Sequence, residues 1–280
     1  MFRYTVHRCT RLLCYASTKY TPLFQVINGT NCAITWPRPK EKKASTIVTM
    51  GGAWSNHIVA TAAACQQMGF KSIGIIRGEE PTTKSTTLQE AVRYGMQLVF
   101  ISRSQYDQNQ LPSLIKEPGC YFIPAGGYGE TGARGASTIV ETISKNFTHI
   151  VCAVGTGTML AGLANTCREQ QLMGISALKG HPELEEQVSA LCTSTAGKWS
   201  INRDFHCGGY GKYSAELIRF MNEWYEKTGI PSDFVYTGKL FYGSHTLLQN
   251  GYYPAGARVL VIHSGGLQGN ASLPDPLLAY

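Results

Sequence analysis

The chain has 280 residues, of which 43% are hydrophobic and 15% are charged. This composition excludes a disordered chain and a coiled coil, and no apolar run reaches the roughly 18 residues that span a bilayer, so we expect a soluble protein of one or two packed domains. The net charge of +7 lies entirely in residues 1–43, with eight basic side chains and one acidic, so the remainder is neutral, which argues against nucleic-acid binding.

The chain changes character near residue 44. Residues 1–43 show neither the period of two of a strand nor the period of 3.6 of a helix. Beyond them, short apolar β-branched runs predict strands, and these alternate with predicted helices. The predicted strands are 45–50, 71–77, 97–102 and 121–124, and the predicted helices are 57–68 and 86–94.

The second half continues the alternation. A helix is predicted over 135–145, and a buried strand over 148–154 runs into the helix of GTGTMLAGLAN. An amphipathic helix over 215–228 and a last strand over 258–263 follow. We therefore predict an α/β fold with parallel sheets, divided into an atypical segment 1–43, a smaller domain 44–147 and a larger domain 148–280.

Val154–Ala161 (VGTGTMLA) joins a strand to a helix. In this arrangement backbone N–H groups and the helix dipole bind phosphate. The run lacks the lysine of a Walker A loop and the third glycine of a dinucleotide fingerprint, and an ordinary strand-to-helix turn has a similar sequence.

Gly51–His57 (GGAWSNH) is a second such turn. Ser55 and Asn56 are good helix caps, which is the alternative to a catalytic role. Ser55 also lacks the G-x-S-x-G context of a hydrolase nucleophile. Two more glycine-rich turns, 236–239 and 263–266, are each expected beside a strand, and the four turns together indicate one site at the carboxyl ends of the strands. The segment 208–211 (GGYG) would place a phenol near this site.

Together, GGAWSNH, GFKSIGIIRGEEP, AVGTGTMLAGLA, GGYGKY, VYTGKLFYG and HSGGLQGN resemble the pyridoxal-phosphate family of D-cysteine desulfhydrase and 1-aminocyclopropane-1-carboxylate deaminase. The resemblance runs in order from residue 44 to the C-terminus. It implies the tryptophan synthase β-like fold of two open parallel-sheet domains, with pyridoxal 5′-phosphate as cofactor.

The resemblance also implies roles for individual residues. The cofactor phosphate would be held by Gly155, Thr156, Gly157 and Thr158. Ser55 would act near the substrate, Asn56 would bond the cofactor's ring oxygen, Tyr210 and Tyr236 would be the active-site tyrosines, and Thr237 would face the pyridine nitrogen.

Two positions bear on the substrate. The deaminases carry a glutamate where this chain has Thr237 and a leucine where it has Ser264, whereas desulfhydrase-like members carry hydroxyl residues at both. A neutral threonine makes the ring a weaker electron sink, which favours β-elimination from a D-cysteine-like amino acid, releasing sulfide, ammonia and pyruvate. 1-Aminocyclopropane-1-carboxylate deaminase is the alternative. A further departure from the relatives is Ala125, where they often carry glutamate.

The chain lacks one essential group of this family. Its members bind the cofactor covalently through a lysine in an S-G-N-K segment some two dozen residues before the GGA-x-SN turn. That window here is Phe24–Thr35, which holds no lysine; Lys19 lies too early, and Lys40, Lys42 and Lys43 lie too close to the strand. We therefore expect impaired activity, and a catalytically inactive homologue that binds a phosphate-bearing ligand is a second alternative.

One account of this absence is a frameshift. Reading Tyr15–Lys40 from the third base of each codon permits R-L-D-x-V-H-P-x-I-S-G-N-K-W-Y-K-L-R-Y-N-L-A-E-A-K, whose S-G-N-K lysine straddles the codons of Ile27 and Asn28. This shifted-frame segment would also account for the surplus charge of the N-terminal residues. The competing account is an organellar transit peptide, which is arginine-rich and poor in acids but leaves the missing lysine unexplained.

The nine cysteines form no C-x-x-C pair and no zinc spacing, so we predict no metal. Cysteines in apolar surroundings favour a reducing compartment, and hence the cytoplasm, or an organelle if residues 1–43 are a transit peptide. The expected partners are a small amino-acid substrate and a second copy in a homodimer, with no nucleic acid and no membrane.

Overall fold

The structure is a computed structural model that describes residues 3–7, 11–16, 23–28, 44–108, 110–142, 146–193 and 195–280. Its strands are β1 (Arg3–His7), β2 (Arg11–Ala16), β3 (Leu23–Asn28), β4 (Thr46–Gly51), β5 (Lys71–Arg77), β6 (Met96–Ile101), β7 (Cys120–Ile123), β8 (His149–Val154), β9 (Gln171–Ser176), β10 (Trp199–Asn202) and β11 (Arg258–His263). Its helices are α1 (Asn56–Met68), α2 (Thr86–Arg93), α3 (Arg103–Asp107), α4 (Glu130–Ser137), α5 (Thr158–Thr166), α6 (Leu184–Leu191), α7 (Ala215–Thr228) and α8 (Thr237–Gln249).

The chain divides into two compact units. One comprises Met1–Ala33 and Ala133–Tyr280, and the other comprises Ile34–Gly132. The boundary therefore lies at Gly132, earlier than the expected 147. The reason is that the second half of α4 packs on α5: at Gly162, an added Cβ would lie 2.7 Å from Ala136 Cβ.

The larger unit contains a seven-stranded sheet in the order β1-β2-β3-β11-β8-β9-β10. From β3 to β10 every pair of neighbours is parallel, whereas β1, β2 and β3 pair antiparallel. In β3, Leu23 lies opposite Arg258 and Asn28 opposite His263, so β3 ends at the same edge as β11.

Alternation along the central strands divides the core of the larger unit between the two faces of its sheet. Cys152 and Leu260 join a cluster with α5 and α6, whereas Val151 and Val259 join a cluster with Trp224 of α7 and with α8. Because helices cover both faces of this sheet, the sequences of the central strands are continuous apolar runs.

The smaller unit contains a four-stranded parallel sheet in the order β6-β5-β4-β7. Helices α1 and α2 pack on one face, with Ile58, Leu88 and Ile76 in the shared core. Val48 and Met50 of β4 lie on the opposite face. The four-stranded parallel sheet and the parallel part of the seven-stranded sheet, from β3 to β10, both carry flanking helices and confirm the predicted α/β fold class.

The structure corrects several expectations from the sequence. Three strands, β1 to β3, lie within the segment that shows no periodicity. The helix predicted over 135–145 is α4, which ends at Ser137 and is followed by a 3₁₀ helix at Thr138–Thr142; residues 143–145 lie outside the described chain. The turn at 236–239 does not adjoin a strand but begins α8. In the described residues no helix is long and apolar enough to cross a membrane.

Candidate active site

The turn between β8 and α5 has the geometry of an anion site. β8 ends at Val154, and α5 begins at Thr158, with Gly157 as its N-cap in the left-handed region at φ 82° and without a side-chain cap. A side chain at Gly157 would overlap Val188, so only glycine fits. The hydroxyls of Thr156 and Thr158 lie 2.9 Å apart. The positive end of α5, uncapped by a side chain, together with two hydroxyls can therefore bind a phosphate.

Two tyrosines lie beside this turn. At Gly155 an added Cβ would be 3.2 Å from Tyr236 Cε1, so glycine lets the ring approach the turn. Tyr210 packs edge-on against Tyr236, with ring centroids 5.9 Å apart and an interplanar angle of 65°. Burial raises the pKa of Tyr210, opposed by a hydrogen bond with Tyr236. A phenol keeps its proton at neutral pH and the raised pKa preserves this state, so the partly exposed Tyr210 can donate a hydrogen bond.

The start of α8 is organised by Asp233, which sequence reasoning missed. Its carboxylate is buried and accepts from the backbone N–H groups of Val235, Tyr236 and Thr237 at 2.8–3.0 Å. The Thr237 hydroxyl donates to the same carboxylate at 2.7 Å and accepts from the Asp233 N–H at 2.8 Å. An aspartate four residues before a helix is the only signal that could have indicated this cap.

The resemblance implies that Thr237 faces the pyridine nitrogen of the cofactor, but the structure shows its hydroxyl in another set of contacts. It has no exposed surface, and its hydroxyl both donates and accepts within the Asp233 loop. In this geometry Thr237 fixes the helix start and does not present its hydroxyl to a ligand. Its role at the pyridine nitrogen stays a prediction that the local contacts do not favour.

In the smaller unit, Ser55 and Asn56 lie where β4 leads into α1. Ser55 is the N-cap, and its Oγ accepts from the backbone N–H of Ile58 at 3.4 Å. Asn56 Oδ1 is buried and has no hydrogen-bond partner among the described residues. A buried amide oxygen without a hydrogen bond costs free energy unless a ligand pairs with it, so Asn56 is a candidate ligand-binding residue. Ser55 serves as the N-cap of α1.

His57, the next residue, is held by Thr49. His57 Nε2 lies 2.7 Å from Thr49 Oγ1, which in turn donates to Ile123 O at 2.9 Å. Its Nδ1 faces the turn of Gly127, where an added Cβ would lie 3.9 Å away. Ala125 begins the short 3₁₀ helix of this turn and is followed by Gly126 and Gly127, so the position that differs from the relatives lies in the turn whose Gly127 approaches His57.

Comparison with known proteins decides the family. The family model described as "Pyridoxal-phosphate dependent enzyme" matches residues 27–265. The chain belongs to this family. The match begins before the first of the motifs that carry the resemblance, Gly51–His57, and it confirms that resemblance and pyridoxal 5′-phosphate as the cofactor of the family.

Individual relatives agree with this assignment. The 1-aminocyclopropane-1-carboxylate deaminase of Methylobacterium sp. (strain 4-46) is 28% identical over 258 residues, covering 80% of this chain and 77% of that protein. A solved "ACC deaminase homologue" has a TM-score of 0.71 at 24% identity, over 90% of this chain and 89% of its own. A hydrogen sulfide-producing enzyme from Fusobacterium nucleatum has a TM-score of 0.68 at 16% identity, over 95% and 97%. The two structures show the shared fold.

The residues present fit the cofactor at two places. The turn at 155–158 is an anion cradle whose glycines cannot carry a side chain without contact with Tyr236 or Val188. Asn56 Oδ1 is a buried polar atom without a partner in the described chain. Of the predicted residues, the structure brings Gly155, Thr156, Gly157, Thr158, Tyr210 and Tyr236 together at one edge of the larger sheet. Ser55 and Asn56 lie in the smaller unit.

The window that should hold the lysine is described in part. Residues 24–28 belong to β3, which ends at Asn28 opposite His263, and residues 29–35 lie outside the described chain, as do Lys19, Lys40, Lys42 and Lys43. Because β11 is the neighbour of both β3 and β8, residue 28 lies at the sheet edge that carries the Gly155 turn. Strand β3 is therefore present, and the residue at this edge of the sheet is Asn28 and not a lysine.

Proposed function

We propose that the site is that of a D-cysteine desulfhydrase-like lyase and that this chain turns over slowly because it lacks the cofactor-binding lysine. The observation that carries the substrate choice is the start of α8. Position 237 is a threonine whose hydroxyl is held by Asp233, and the Asp233 carboxylate is itself occupied by three backbone donors and that hydroxyl. No unpaired acid is offered there to protonate a pyridine nitrogen.

The cofactor phosphate is assigned to the amides and hydroxyls of the turn at 155–158, and the ring oxygen to the amide of Asn56. When bound, pyridoxal phosphate supplies an electron sink for the pair released at the substrate's α-carbon. Thr237 and the fully paired Asp233 would leave the ring nitrogen without a proton donor from the start of α8. The site would therefore favour loss of a thiol-type leaving group from the substrate's β-carbon over the opening of a cyclopropane ring.

The remaining residues act on the substrate. Tyr210 and Tyr236 form a hydrogen-bonded pair beside the phosphate turn, and Tyr210 stays protonated at neutral pH. We assign this pair to positioning the departing sulfur and holding a proton for it. Ser55, at the start of α1, is assigned to the substrate carboxylate. The α-proton has no acceptor of the family's usual kind, because the lysine window carries none.

A pair of chains tests this function. One is the present chain, and the other replaces residues 15–40 by the shifted-frame segment. Both are incubated with pyridoxal phosphate and then with D-cysteine or 1-aminocyclopropane-1-carboxylate, and sulfide and 2-oxo acid are measured. The matched control is the shifted-frame chain with its S-G-N-K lysine replaced by alanine, which restores every other residue of the segment.

We expect the shifted-frame chain to release sulfide from D-cysteine at least about 100-fold faster than the present chain and the alanine control, as loss of a catalytic base of this kind removes 10²–10⁴-fold. Release of 2-oxo acid only from the cyclopropane substrate would establish the deaminase instead. If neither substrate reacts although pyridoxal phosphate binds, the inactive phosphate-ligand-binding alternative holds and the proposal fails.

A further inference from the structure

Lys239 is a lysine without exposed surface. It lies in the first turn of α8 and is among the largest fully buried side chains in the described residues. Its Nζ donates to Gly209 O at 2.7 Å and lies 3.5 Å from Ala177 O. Lysine is almost never fully buried unless it is paired, so this position needs a reason.

The partners of Lys239 are loop carbonyls and not a carboxylate. Ala177 follows β9, and Gly209 lies in the connection between β10 and α7. The nearby acid, Asp233, is occupied by the start of α8, and the Cys207 thiol is the other titratable group that bears on the ammonium. Burial lowers the pKa of Lys239 to about 8, so the cationic form, with three donors, predominates at neutral pH.

The Gly209 segment has an irregular backbone that needs support. Cys207 has a positive φ of 48°, which is uncommon for a residue other than glycine, and Gly209 has a φ of 110°. Gly209 N–H donates to His206 O at 2.9 Å, and Gly209 O also accepts from Lys212 N–H at 3.1 Å. The residue after Gly209 is Tyr210.

These contacts close a ring of interactions. Tyr236 is the N-cap of α8 and Lys239 lies three residues later, so both sit on the same helix start. Lys239 bonds Gly209, Tyr210 follows Gly209, and the Tyr210 ring returns to Tyr236 at 5.9 Å. The bond from Lys239 therefore joins the segment that carries one phenol to the helix that carries the other.

We propose that Lys239 is a positioning residue, whose ammonium holds the Gly209 carbonyl so that the Tyr210 phenol stays against Tyr236. The importance of the two phenols rests on the proposed function. The anchoring of the 206–213 segment, defined by those residues, requires neither cofactor nor substrate.

The test compares Lys239→Met with the unchanged chain, because methionine preserves much of the volume and removes every donor. Amide hydrogen exchange is followed by mass spectrometry on peptides that cover 206–213. A hydrogen bond from a charged donor is worth enough for a roughly ten- to hundredfold rise in exchange of this segment when it is lost. The control is Lys179→Met, since the exposed Lys179 also lies beside Gly209.

A second readout reports on the phenol itself. The chain is labelled with 3-fluorotyrosine, and the ¹⁹F resonance of Tyr210 is assigned by its loss in Tyr210→Phe. We expect Lys239→Met to move this resonance toward the value of an unstructured tyrosine and to leave the resonance of Tyr94, which lies in the core of the smaller unit, in place. Lys179→Met should leave both in place.

Each outcome decides the proposal. If exchange rises at 206–213 and the Tyr210 resonance moves while β8 and β9 stay protected, Lys239 positions the phenol. If exchange rises equally in β8, β9 and α8, or if the variant does not fold, Lys239 is a general core residue and the proposal is wrong. No change at 206–213 also overturns it. Because no step needs turnover, failure of the desulfhydrase function would leave this result intact.

Discussion

At His57 the hydrogen bonds fix the protonation of the ring. The Thr49 hydroxyl donates to Ile123 O, so the Thr49 oxygen accepts a hydrogen bond from His57 Nε2–H. His57 Nδ1 is then the unprotonated ring nitrogen. Burial lowers the pKa of His57 to about 4, from an ordinary value near 6.5. The folded chain therefore keeps this imidazole neutral across weakly acidic pH.

This shift predicts a loss of stability in acid. Between pH 6.5 and 4 the unfolded chain binds a proton at His57 and the folded chain does not, so the free energy of unfolding falls as the pH falls through this window. We expect His57→Gln to lack this part of the loss, so that the difference in stability from the unchanged chain shrinks between pH 7 and pH 4.

Urea unfolding at a series of pH values measures the effect of His57. His181→Asn is the control, because His181 contacts Gln187 at a partly exposed position. It should change the pH dependence little in comparison. A difference between His57→Gln and the unchanged chain that stays constant from pH 7 to pH 4 would show that His57 titrates alike in both states.

At the scale of elements, Asp233 and α8 form one unit. The carboxylate takes the place of the side-chain cap that Tyr236 cannot provide, and it satisfies three N–H groups at the start of the helix. Asp233→Asn replaces one acceptor oxygen by a donor and leaves buried N–H groups unpaired. We expect a loss of about 1–3 kcal/mol in the free energy of unfolding.

Chemical denaturation of Asp233→Asn and of Asp204→Asn makes the comparison. Asp204 is exposed and contacts the side chain of Asn202 at 3.3 Å, so its variant should lose less than about 0.5 kcal/mol. Equal losses in the two variants would mean that the Asp233 cap contributes no more than a surface contact.

The elements that could be predicted from the sequence are those whose buried residues form a local hydrophobic pattern, either an apolar run or an apolar helix face. β4, β5, β8 and β11 are short apolar runs, and α7 has one apolar face, so each was predicted within a residue or two. The elements that the sequence did not predict lack such a pattern. α8 starts with Thr-Gly-Lys, and its position depends on Asp233 and on a lysine bonded to distant loops.

The candidate site shows the same division. The glycine turn at 155–157 could be predicted, because a strand, glycines and a helix follow one another in the sequence. The burial of Lys239 could not be predicted, because a lysine in a helix is usually exposed. Only the tertiary structure shows that its ammonium contacts the carbonyls of Ala177 and Gly209. Likewise, the resemblance implies that the hydroxyl of Thr237 faces the cofactor. Its hydrogen bond to Asp233 depends on the local fold and could not be predicted.

For the whole molecule, fold and chemistry rest on different parts of the chain. The smaller sheet, strands β8 to β11 of the larger sheet and the phosphate turn all lie beyond residue 44, whereas β1, β2 and β3 lie before it. The family model that places the chain in the pyridoxal-phosphate family matches residues 27–265. On our proposal, the covalent attachment of the cofactor depends on one amine in the segment before residue 44. The fold and the phosphate turn would then be kept in a chain that lacks this attachment point.

The most direct measurement is borohydride reduction of this chain after loading with pyridoxal phosphate, followed by peptide mass spectrometry. The account predicts cofactor that dialysis removes, no absorbance band near roughly 410–420 nm, and no stoichiometric adduct on any lysine, because a covalent link requires an amine within reach. A band at that wavelength and a single modified lysine at full occupancy would contradict the account.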